Sequence, residues 1–203
     1  MTADKDRTEP SRADRGAIYV ILAAGVFGGG FIAGLALVTG VFRLLDPARY
    51  PVTLLADIPI ETGQGIVQAH GDTIVANAES LSGGAVWALA IADLVFGLAL
   101  AGVVASAAVV LWRVAQRQPF HRTSYLAAIV AGCCVTFGSL LSQGIGGLGT
   151  MMAATELNPA LGDFALPAFE FEPLPVVAGF VIIALAYVFR AGTRLQRDTE
   201  GLV

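Results

Sequence analysis

The chain of 203 residues is 56% hydrophobic and 14% charged, with 24 glycines and a positive mean hydropathy. Soluble domains carry roughly 25% charged residues, so this composition excludes an ordinary water-soluble globule and indicates a membrane protein. The formal net charge is −4, and its distribution along the chain says more than its sum.

Residues 1–16 form a charged tail with no small-residue cleavage pattern after it, so the first apolar segment is expected to be retained rather than removed. A helix crosses the bilayer with about 20 mostly apolar residues. Four segments meet or approach that need: 17–45, 84–112, 125–154 and 174–189. The fourth is the shortest, and the residues after it are expected to prolong its helix. Trp87 and Trp112 stand near opposite ends of the second segment, where interfacial aromatic residues belong. Ten of the 12 Lys and Arg residues fall in the tail, in the loop 113–124 and in the stub 190–203. The positive-inside rule therefore puts both termini in the cytoplasm and the loops 46–83 and 155–173 outside it.

The first outer loop is longer than an antiparallel helix pair requires. Within it, Ile66–His70 and Thr73–Asn77 are β-prone and flank Gly71-Asp72, which predicts a β-hairpin with a two-residue turn. Upstream, "YPVTLLADIPIE" reads as an edge strand. These strands are expected to rest on the outer helix ends, together with "FALPAFEFEPLP" of the second outer loop. The loop is either a plain cap or a ligand-sensing surface.

Asp93 is the one ionisable residue deep inside a segment. A carboxylate at the bilayer centre costs about 2.5–3.5 kcal/mol on insertion scales, so a partner is expected. Counting depth from the helix ends points to Gln143, with Ser139 and Ser142 nearby. Such a cluster either joins helices or forms a proton or ion site. Gly25 and Gly29, and Gly30 and Gly34, are two GxxxG pairs suited to close helix packing.

No motif names a reaction. His70 and His121 fall on opposite sides, and Cys133 and Cys134 are adjacent within an apolar run, which is neither disulfide-framework nor metal-site spacing. No HExxH, GxSxG or Walker A pattern occurs. No catalytic, cofactor or metal site is expected, and direct nucleic-acid binding is not expected either.

At the inner face, Pro119 and Phe120 centre the loop between the second and third segments, while Arg190, Arg194 and Arg197 follow the fourth. These stretches, "PFHRTSYLAAIVAG" and "LAYVFRAGTRLQRDTEGLV", resemble the domain-of-unknown-function 2975 family of bacterial, actinobacterial-type, membrane proteins over almost the whole chain. The resemblance implies four spans, a large first outer loop and no established activity. Relatives are often encoded beside a small helix-turn-helix regulator. That makes Pro119, Phe120, Arg190, Arg194 and Arg197 the expected docking face for such a partner.

The sequence thus predicts an all-α membrane protein: a four-transmembrane-helix bundle with a small β-containing extracytoplasmic cap. Its expected role is a non-enzymatic sensor or docking protein. A small transporter or ion-conducting homo-oligomer using Asp93, and a structural subunit of a larger membrane complex, stay open as alternatives.

Overall fold

The computed structural model describes residues 12–47, 51–59, 70–77, 81–116 and 122–200. Four long helices frame it: α1 (Arg12–Leu45), α2 (Gly83–Ala115), α3 (Arg122–Leu157) and α4 (Leu174–Glu200). Two strands, β1 (Val52–Pro59) and β2 (His70–Ala76), lie between α1 and α2.

Local chemistry explains the helix ends. Ser82 caps α2, its Oγ accepting from the Ala85 N–H at 3.3 Å, which satisfies one of the free donors of the first turn. After α3 the chain tightens into a 3-10 turn, Asn158–Leu161, and leaves through Gly162 in the left-handed region at φ 71°. The Asn158 side chain then holds the exit by accepting from the Ala165 N–H at 2.9 Å. In α4, Pro175 occupies the first turn, where its missing N–H costs nothing.

Three helices, Tyr19–Leu45, Gly83–Ala115 and Arg122–Leu161 with its 3-10 extension, are long and apolar enough to cross a membrane. The apolar part of α4, Leu174–Val188, is shorter than these, although the helix itself runs on to Glu200.

α1 packs on α2, α2 on α3, and α3 on α4. The helices therefore form a row in chain order rather than a closed bundle around a shared core. Their contacts are made through small residues. Gly40 of α1 faces Leu94 and the Ala90 carbonyl, and Gly97 of α2 faces Leu37 and the Ala33 carbonyl. Gly146 and Gly149 of α3 lie against Ala92 and Leu89 of α2. With little apolar driving force inside a lipid phase, backbones brought this close gain dispersion contacts instead. Of the two GxxxG pairs, one glycine makes the contact. Gly29 meets Val104, whereas nothing lies within 4 Å of a Cβ placed on Gly25, Gly30 or Gly34.

The hydrophobic core sits at one end of the row. Val52 and Leu54 of β1 join Ala85, Leu89, Ala153, Ala154 and Ala165, with Leu81, Leu157 and Leu161 around them. Alternation in β1 accounts for this: Val52, Leu54 and Ala56 are buried while Thr53 and Asp57 are exposed.

The hairpin differs from the sequence expectation. β1 pairs antiparallel with β2, Leu54 opposite Ile74 and Ile58 opposite Gly71, so Gly71 and Asp72 lie within a strand and not in a turn. Residues 66–69 lie outside the described residues. The local turn signal yields because β1 offers a longer apolar face, and pairing it with His70–Ala76 covers the ends of α2 and α3. An extra residue between Leu55 and Ile58 breaks the register, as in a β-bulge. The bulge frees backbone for the segment after α3: Ala56 bridges Ala165, Leu166 N–H donates to the Leu55 carbonyl at 2.8 Å, and Asp57 N–H to Phe164 at 3.1 Å. The "FALPAFEF" segment thus joins the cap.

Candidate functional site

Where the cap meets the helices, a band of polar groups crosses the row. Arg43, in the last turn of α1, donates from Nε to Asp93 Oδ2 at 3.0 Å. One turn across, Ser142 Oγ donates to the Ala92 carbonyl at 3.1 Å. Gln143 then ties α3 to the chain entering α4: its Nε2 donates to the Glu172 carbonyl at 3.2 Å, and its Oε1 accepts from the Glu172 N–H at 2.7 Å.

This band marks a level. α1 ends at Leu45 and α4 begins at Leu174, both beside it. At about 1.5 Å per residue, α2 runs about 15 Å past Asp93 to Gly83, and α3 about 21 Å past Gln143 to Leu157. Those overshooting ends carry the hairpin and the 158–173 segment, and Ser82 N–H donating to Glu156 Oε2 at 2.8 Å pins them together.

The expected contact between Asp93 and Gln143 is therefore not formed. The depth count compares α2 with α3 alone, and Ser142 meeting Ala92 keeps these two at a common level; it leaves out where α1 ends and α4 begins. Because α2 and α3 overshoot, Asp93 lies beside the end of α1, where a guanidinium takes it, and Gln143 lies beside the start of α4. Ser139 donates within its own helix to the Thr136 carbonyl at 3.1 Å, so only Ser142 of the anticipated cluster reaches α2. Arg43 stands in the last turn of the first apolar segment, and a guanidinium there was the signal for a partner on α2.

Between hairpin and helices opens a cleft of about 330 Å³, lined by Thr53, Leu55, Thr73, Gln143, Thr150, Phe169 and Glu170 among others. Its floor is glycine. A Cβ on Gly147 would lie 2.5–2.9 Å from the Phe169 ring, so the ring rests on bare backbone. Thr150 Oγ donates to the Gly147 carbonyl at 2.9 Å.

At the opposite end of the row, Tyr125 and Tyr187 meet edge to face with centroids 6.2 Å apart, and the Arg190 guanidinium lies 5.7 Å from the Tyr125 ring. Pro119 and Phe120 lie outside the described residues. Arg194 and Arg197 continue α4 as helix. Among the described residues the buried Ser124 and Thr136 hydroxyls have no hydrogen-bond partner. Among the described residues no group of three His, Cys, Asp or Glu side chains could hold a metal ion.

Gln143→Leu is expected to free the start of α4 while leaving the helices inserted. Each neutral hydrogen bond contributes about 0.5–1.5 kcal/mol, so the Glu172 amide should exchange with deuterium faster by about one order of magnitude. Unchanged protection there would show that the proline-rich segment holds itself.

Comparison with protein-family models, curated proteins and solved structures finds no match.

Proposed function

We propose that the chain is a four-span membrane protein acting as a non-enzymatic sensor, with the cap outside the cytoplasm and a partner-docking face within it. The observation that carries this reading is the continuity of α2 and α3. Each runs unbroken from the core of the cap to the opposite end of the row, so a force on the cap acts on the far end without a hinge.

Helix lengths support a membrane between the two ends. From Asp93 to Trp112 on α2 is about 28 Å, and from Gln143 to Tyr125 on α3 about 27 Å. Both approach the ~30 Å of a hydrocarbon core. Arg113, Arg122 and Arg190 stand just past the far limit, as the positive-inside rule favours. In this reading α4 crosses despite its short apolar part, with Phe171 and Tyr187 near its two ends.

The docking face consists of Pro119, Phe120, Arg190, Arg194 and Arg197, and the partner is a small helix-turn-helix regulator, as the family resemblance implies. The ion-conducting alternative draws on Asp93, the polar stripe of α3 and its glycine density; the pairing of Asp93 with Arg43 weighs against the first of these.

Two measurements test the reading. Maleimide labelling of single cysteines at Asp72 and Gln118, in a background with Cys133 and Cys134 replaced, should modify only the first from outside intact cells. Co-purification of a small DNA-binding protein should fail after Arg190, Arg194 and Arg197 are changed to alanine. Inverted labelling would reject the orientation, and undiminished recovery would reject the docking face.

A further inference from the structure

The cleft beneath the hairpin combines features that point to a ligand. Its volume of about 330 Å³ is at the lower end of the usual 300–1,000 Å³ range for small-molecule sites. Three elements from different parts of the chain build it: the hairpin at Thr53–Leu55 and Thr73, α3 at Gln143–Thr150, and the strap 168–170. The walls are mostly apolar, and the polar atoms are few and of defined kinds. The polar residues of the lining are Thr53, Thr73, Gln143, Thr150 and the one acid, Glu170.

Charge decides the class of ligand. Beyond Asp93, the described residues of the cap end carry seven carboxylates against one guanidinium, Arg43, which Asp93 engages. Among the described residues no cation pairs with Glu170. A phosphate or carboxylate ligand would meet net repulsion here, whereas a cation would be drawn in. Beside Glu170 stands the Phe169 ring, half-exposed and seated on Gly147. An aromatic ring and a carboxylate that line one cleft are the groups that together recognise an organic ammonium: the carboxylate supplies the counter-charge and the ring its negative face.

We propose that this cleft binds a small organic cation, an alkylammonium or quaternary ammonium compound, with Glu170 as counter-ion and Phe169 as the aromatic face. The hydroxyls of Thr53, Thr73 and Thr150 accept from or donate to polar groups on the remainder of the ligand. The proposal deepens the sensory reading of the cap and rests on it for its biological sense, but the binding itself does not depend on orientation.

The test uses the full chain in lipid nanodiscs, which expose both faces. Choline and n-butylamine serve as probes, and 3,3-dimethylbutan-1-ol as the neutral counterpart of choline, with binding followed by ligand-observed NMR. The expected result is saturable binding of at least one cation at millimolar concentration and none of the alcohol. Glu170→Gln should weaken it by about tenfold or more, and Phe169→Leu by about three- to tenfold. Glu172→Gln, a neighbouring exposed carboxylate outside the cleft lining, should leave it unchanged. Equal binding of the alcohol, insensitivity to both cleft substitutions, or no binding of either cation overturns the proposal. Cation binding retained alongside a failed docking or labelling experiment would reject the sensor reading alone.

Discussion

Gly179→Val should detach α4 from α3 and cause the largest loss of stability of any single change in the helix row. Gly179 and Gly132 face each other at the closest approach of these helices. A Cβ on Gly179 would lie 2.8 Å from the Thr136 amide nitrogen and 2.9 Å from the Gly132 carbonyl, with Thr136 Oγ1 nearer still. Two of these three obstacles are backbone, which cannot swing aside as a side chain does. Overpacking costs typically 1–3 kcal/mol, so a loss of about 3 kcal/mol is expected, read as a lower midpoint of unfolding in mixed detergent micelles. Gly30→Val is the matched control. Nothing lies within 4 Å of its Cβ position, and a change of about 0.5 kcal/mol or less is expected there. Equal losses at the two positions would show that the tight contact is elsewhere.

The second large effect concerns the ion pair between α1 and α2. Asp93→Ala removes the carboxylate that Arg43, only 13% exposed, donates to, while Arg43→Ala takes the guanidinium from a carboxylate that is 31% exposed. Hydrogen bonds to charged groups contribute about 1.5–3 kcal/mol, and partial exposure places each loss near the lower figure. The double change should cost about 1 kcal/mol less than the two singles together, because either single already breaks the same pair. Strict additivity would mean that the pair contributes nothing and that Asp93 answers to another group.

Much of the fold was legible in the sequence because hydropathy over a long window depends on little except composition. The three long apolar helices and the β-prone first loop follow from it. Strand β1 was legible because "YPVTLLADIPIE" is β-prone and punctuated by prolines. What could not be read was relative height. Nothing local says that α2 and α3 overshoot α1 and α4, and on that rests the partner of Asp93. The same overshoot decides where Gln143 binds. Gly71-Asp72 was misread because turn chemistry was weighed without the competing strand. The GxxxG pairs were half legible: spacing identifies a face of small residues but not the neighbour it meets, and of the four only Gly29 makes a close contact, beside Gly40 and Gly97 outside the pattern. The cleft left no motif, because its residues come from three separated stretches.

The row arrangement also bears on how the molecule is made. Each helix packs on its predecessor in the chain, so a chain entering the bilayer from its N-terminal end can settle every new helix on one already present. Contacts between sequence neighbours form early and need no long search. The cap follows another schedule. Ala56 waits for Ala165, and the core around Val52 and Leu54 waits for Ala153 and Ala154, so the first loop emerges long before its counterpart exists. Closure of the cap is thus the late step of folding. Lesions in the Phe164–Leu166 strap should yield chains that are inserted but open at the cap, with the edge of β1 exposed to quality-control proteases.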